Sequence, residues 1–300
     1  MRNYKKNPYV QNANSKLIPS FICYADILGF KESSMENLEK GNGNHFLNRI
    51  RNSLNKAYGS IRGKKTLFNI IPEFNLKVFT DNLVIGFPVP DYKYNSGEHA
   101  LGSIYRIFSE YQTNLAMDGF FVRGAITFGD FFMDSNIVFG DPLLEAIELE
   151  KDACFPRIIL SKKATEMMYD QVAYYGNPKH SPQYNDFLND NDNQIFLNYL
   201  NVAFSIFPDN GDIFFEVIEK HKKHVESNLL KYNKKLHVLE KYQWLARYHN
   251  FICQEVAERY PISYDPDQPL EHGMAAASAQ RLLDYLIEVA EGPCPSRLIF

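Results

Sequence analysis

No run of eighteen apolar residues occurs anywhere in the chain, so no transmembrane helix is expected and no membrane partner. The opening stretch, MRNYKKNPYVQNANSK, is polar and lacks the apolar core of a secretory signal, which points to a cytoplasmic protein. No cysteine stands in a CxxC pair or at a Cys/His spacing typical of zinc. Cys23, Cys154, Cys253 and Cys294 are scattered and read as reduced core thiols. Neither sign of charge dominates: 32 Lys and Arg face 36 Asp and Glu, a net charge of −4. A chain so balanced is not built to coat nucleic acid, and no nucleic-acid partner is expected. Tryptophan is nearly absent, with one residue against 23 Phe and 19 Tyr, so phenyl and phenol rings must carry the aromatic packing.

What is present alternates between strand-like and helix-like segments. LIPSFICYADILGF (17–30) reads as a buried strand running into a tight turn. Residues 43–62 place Phe46, Ile50, Leu54 and Tyr58 at helical spacing, and 98–117 repeat that pattern. Between them, NLKVFTD and NLVIGFPV meet at Asp81-Asn82, a dipeptide that favours a hairpin turn. FFVRGAITFGDFF (120–132) is a strand interrupted by Gly124 and Gly129, and RIILS (157–161) is another. Between those two, GDPLLEAIELEKDA predicts a helix with Asp141 as N-cap and Pro142 first. Residues 176–194 read as loop, in which Asp186, Asp190 and Asp192 are expected in solvated turns. Strands separated by helices imply an α+β sheet domain over 17–205. Residues 212–300 are then a helical C-terminal extension. There His221 and His224 belong to a basic face, and the stripe around Trp244 to core or dimer packing.

Two carboxylates stand at special places. Asp26 closes a buried strand just before a turn, and Asp81 occupies a hairpin tip. Read alone, each is more often a turn former or strand-end cap than a ligand. Together on neighbouring strands they match the needs of magnesium, which takes one or two carboxylates and completes its shell with water and phosphates. Period-two alternation puts Lys77 on the face of Asp81. Arg123, in an otherwise apolar strand, is either a phosphate or carboxylate partner or a snorkelling arginine.

The order YADILGF, KVFTDNLVIGF, VRGAITFGDFF, IVFGDPLLEAIELE, PRIILS resembles the catalytic domain of class III nucleotidyl cyclases over roughly residues 20–165. The resemblance implies a palm, ferredoxin-like sheet that binds a nucleoside triphosphate with two ions of Mg2+ or Mn2+ on Asp26 and Asp81. It makes Ile27, Leu28, Gly29 and Phe30 the phosphate-side loop and Lys77 a base reader reaching a partner's substrate in a homodimer. Where the family helix carries its transition-state Asn and phosphate-binding Arg, this chain has Leu144 and Glu148, and a second base-reading position falls on Ile137. A glutamate there repels a polyphosphate. The sequence therefore leaves two readings open: a cyclase in which Arg123 replaces the missing arginine, and a pseudocyclase that binds nucleotide or protein without turnover. Divergent bacterial members of this family act in antiphage signalling, which extends to this chain by analogy only.

Overall fold

The structure, a computed structural model, describes residues 7, 9–11, 14–63, 75–79, 81–89, 98–204, 215–259 and 277–299. Its first hairpin, β1 (Val10–Gln11) with β2 (Asn14–Ser15), is followed by β3 (Ile18–Ile27), α1 (Phe30–Glu39) and α2 (Gly43–Gly63). Next come β4 (Asn75–Phe79), β5 (Asn82–Pro88), α3 (Glu98–Met117) and β6 (Val122–Met133). Beyond them lie β7 (Val138–Phe139), α4 (Asp141–Asp152), β8 (Ile158–Leu160), α5 (Lys162–Val172), α6 (Pro182–Asp186), β9 (Phe187–Asn189) and β10 (Ile195–Leu197). The last elements are α7 (Phe215–Lys231), α8 (Leu236–Arg259) and β11 (Ser296–Arg297). Among the described residues, no helix is long and apolar enough to cross a membrane.

One mostly antiparallel sheet runs β11-β9-β10-β8-β6-β3-β5-β4, with β7 folded back on β6. Its β4-β5-β3-β6 half has the strand order of a βαββαβ ferredoxin-like palm, as expected from the sequence. β3 is apolar on both sides because both sides are covered. Phe21, Cys23, Ala25 and Ile27 pack under α2 and α3, in a core with Tyr105, Phe108 and Tyr111. The opposite side carries Tyr24 and Asp26 of β3, Arg123 and Ala125 of β6 and, in register beyond them, Ile159 and Phe196. α4 and α8 cover this second side, where Ala125, Ile159, Leu188 and Phe196 share a core with Ala146, Trp244, Leu245 and Tyr248.

Gly124 permits the closest approach in the sheet: a Cβ there would lie 2.2 Å from the carbonyl oxygen of Tyr24. Its neighbour Arg123 pairs directly across from Asp26.

Several expectations are corrected. Asp141 is the first helical residue of α4 and not its cap, which is Gly140. The segment 176–194 is ordered into a 3-10 turn (Pro178–His180), α6 and β9. Asp190 is buried there, and the fully buried Arg157 ion-pairs with it and with Asp192. Asp186 is enclosed too, and burial raises its carboxyl to about 6. α1 appears in no sequence pattern, since none of its residues is buried.

His221 does not sit on a basic face. It is fully buried, hydrogen-bonded to the hydroxyl of Tyr199 (2.6 Å) and to His249 (3.1 Å). His224, half-buried, bonds the carbonyl of Met117 at 3.1 Å. The stripe around Trp244 is core within one chain and offers no surface for pairing. Of the cysteines, Cys23 and Cys253 are buried thiols, whereas Cys154 and Cys294 are exposed.

Candidate functional site

Asp26 is the penultimate residue of β3, and Asp81 lies in the turn that opens β5. Because Ala25 pairs with Leu83, the strand end and the hairpin tip converge. Tyr24 donates its hydroxyl to Oδ1 of Asn82 at 2.8 Å and so ties that tip to β3. The carboxyl groups of Asp26 and Asp81 stand close enough at this strand end for Asp81 to act directly on the Asp26 carboxyl. Burial is the main cause that raises the Asp26 carboxyl to about 7. The hydrogen bond with Asp81 and the charges of Asp81 and Glu150 add to it, and Arg123 opposes.

Arg123 reaches this pair from β6. Its Nη2 lies 3.7 Å from Oδ2 of Asp26, while its Nε is in ion contact with Oε1 of Glu150. That second contact is not aligned as a hydrogen bond, and both atoms are buried without one. The ion-pair partners of Arg123 are therefore Glu150 and Asp26, and not Glu148 or Asp130, the acids that a structural ion pair suggests from the sequence. Glu148 is exposed on the outer side of α4, and Leu144 is 63% exposed. Glu150 instead continues the inward stripe of Pro142 and Ala146 and is 5% exposed. Burial raises its carboxyl above the ordinary range, against the pull of Arg123, Lys151 and Lys241, the last from α8. Asp26 and Glu150 therefore share the Arg123 guanidinium, and Asp81 acts on Asp26 from the hairpin tip.

In the loop expected to face phosphate, Ile27 is buried in the core with α2 and α3. Leu28 donates its N–H to the carbonyl of Phe121 at 2.8 Å. Gly29 takes φ +67°, a left-handed conformation natural to glycine, and caps α1, whose first residue is Phe30. The N-terminus of α1 thereby stands just past Asp26, and helix N-termini favour anions. Lys77 pairs with Val84, itself opposite Tyr24, so it lies on the side of the sheet that carries Asp26. Its charge helps the backbone N–H groups of Ile137 and Asn136 to hold the Asp134 carboxyl low. Ile137 is exposed.

Sequence reasoning missed Glu150, Tyr24 and Asn82. Their signals were present: Glu150 is four residues past inward Ala146, and Tyr24 shares the strand face of Asp26. Among the described residues, no group of three or more His, Cys, Asp or Glu side chains is disposed to hold a metal ion. The Asp26–Asp81 pair has the oxygen donors that suit a divalent ion whose shell is completed by phosphate and water.

No family model and no curated protein matches the sequence. Among solved structures, the chain is similar to an adenylate/guanylate cyclase/hydrolase from Silicibacter pomeroyi. The identity is 17% and the TM-score 0.37, over 61% of this chain and 96% of that one. At that level the likeness carries nothing about activity, and the palm assignment stands on the strand order itself.

Proposed function

We propose that this chain binds a nucleoside triphosphate through divalent metal, Mg2+ or Mn2+, held by Asp26 and Asp81, and converts it to a cyclic nucleotide and pyrophosphate. The observation that carries the reading is the convergence of the Asp26 and Asp81 carboxyl groups at the strand end, beside the α1 N-terminus. The chemistry such ions supply when bound is acidification of a ribose hydroxyl and neutralisation of the phosphates. Asp26 and Asp81 give the oxygen donors, and the first turn of α1 faces the phosphates. The Nη edge of Arg123 meets a phosphate oxygen, with the fork geometry that lysine lacks.

One observation favours binding without turnover: α4 contains no Asn or Arg, and its Leu144 and Glu148 face solvent. Incubation with each NTP and Mg2+ or Mn2+, with products resolved by mass, decides between the two. A cyclic product is expected, and Arg123→Lys should lower turnover by about a hundredfold at unchanged melting temperature. Bound NTP without product assigns the nucleotide-binding role, and no binding at all overturns both.

The reading includes a homodimer in which Lys77 faces the partner's substrate. Light scattering at micromolar protein with NTP should give twice the mass of one chain, and a strict monomer rules this arrangement out.

A further inference from the structure

We infer that Glu150 is a positioning residue that holds Arg123 off Asp26 and thereby keeps the carboxylate pair open to a cation. The inference rests on the metal-binding reading above.

Arg123 and Asp26 are directly opposed across β6 and β3, where opposite charges attract and an arginine can close on a carboxylate through two parallel bonds. They have not closed: Nη2 stands 3.7 Å from Oδ2. The guanidinium is drawn instead toward Oε1 of Glu150 through Nε, the nitrogen that shares an edge with Nη2.

Glu150 reaches that point because α4 begins at the Gly140-Asp141-Pro142 turn and lays Pro142, Ala146 and Glu150 along one inward stripe. The residue is 5% exposed and its Oε1 finds no aligned hydrogen bond, so its charge is directed at Arg123 and not dissipated in water. The other acids of α4 do not compete for the guanidinium. Glu148 is exposed, and Lys163 is the charged group whose field acts on Glu145.

The consequence is a division of labour. Nε is taken by Glu150, Nη2 stops short of hydrogen-bond distance from Asp26, and the Asp26 carboxyl is left beside Asp81 without an aligned bond to the guanidinium. Without the Glu150 charge, Arg123 closes on Asp26, which lies within a small side-chain movement. A cation then has to displace an internal guanidinium before it can bind.

The test is Mn2+ alone, titrated against the full chain and followed by its electron paramagnetic resonance signal. Wild type, Glu150→Gln, Arg123→Ala and the double variant Glu150→Gln/Arg123→Ala are compared. Glu150→Gln should weaken Mn2+ binding about tenfold, and adding Arg123→Ala should restore it to near wild type, since the competing cation is then gone. A merely structural Glu150 gives no such rescue. Unchanged affinity in Glu150→Gln, or a double variant as weak as the single one, overturns the inference while leaving the metal site intact. Absence of Mn2+ binding by the wild type overturns the metal reading and this inference with it. Melting temperatures of all four proteins show that each is folded. Should Glu150→Gln fail to fold, Glu150→Asp, which retracts the charge by one methylene, must show the same Mn2+ loss and the same rescue.

Discussion

Asp26→Asn is expected to abolish Mg2+- or Mn2+-dependent triphosphate binding and, without metal, to raise the melting temperature at pH 8. The Asp26 carboxyl rises from an ordinary 3.8 to about 7 in the folded chain, chiefly through burial and then through Asp81. Between those values the folded protein keeps a proton that the unfolded chain has released. Each rise in pH across that window therefore favours unfolding. The stability linked to this group is full below about 3.8 and is lost as pH rises through about 7. A tenfold change in a protonation equilibrium is worth about 1.4 kcal/mol, so the penalty at pH 8 shows readily in a melting curve.

A bound divalent ion reverses the penalty, because it stabilises the ionised pair and adds its own binding free energy. The Asp26→Asn side chain has no proton to lose and does not ligate as an anion, so both the pH slope and the metal response should vanish. Asp81→Asn should retain part of the slope, since burial of Asp26 persists. Melting curves from pH 5 to 8, with and without Mg2+ or Mn2+, check this. A wild-type melting temperature flat over that range and indifferent to metal refutes the paired site.

The second large effect lies in the join between the sheet and α8. Arg157 is fully buried just before β8, with Nε donating to the carbonyl of Ala153 at 3.2 Å and the rest of the guanidinium held by Asp190 and Asp192. Trp244 of α8 donates Nε1 to the same Asp190 oxygen at 2.7 Å. The guanidinium stands 5.4 to 5.9 Å from the ring centroids of Phe155, Phe196 and Trp244. Arg157→Met leaves the buried Asp190 carboxyl without its cationic partner. Breaking such a pair from one side costs about 3–5 kcal/mol, out of a total stability of roughly 5–15 kcal/mol.

Arg157→Met/Asp190→Asn should recover part of that loss, because the orphaned charge is removed. The single tryptophan sits in the network, so its fluorescence in a urea titration reports the transition directly. An Arg157→Met midpoint equal to wild type would show that water reaches Asp190 and that the network is not sealed.

The sequence by itself determined whatever depends on local pattern. The even apolar character of FICYA made β3 a strand covered on both sides, and Asp81-Asn82 made a hairpin tip. The helical spacing of Phe46, Ile50 and Leu54 made α2. These are short-range consequences of period and turn chemistry; the palm, and the weight given to Asp26 and Asp81 as ligands, came from the resemblance to class III nucleotidyl cyclases. Only the tertiary structure decided which charges meet. Glu150 and not Glu148 faces Arg123, because a helix turns 100° per residue and two positions along it look in nearly opposite directions. Asp190 reads as a solvated loop residue until Arg157, 33 residues earlier, is seen beneath it. His221 sits among lysines in the chain, yet its side of α7 is pressed against Tyr199 and His249. Each of these outcomes depends on contacts between segments far apart in the chain, and the free energy of burying a charge is settled by the partner it finds there.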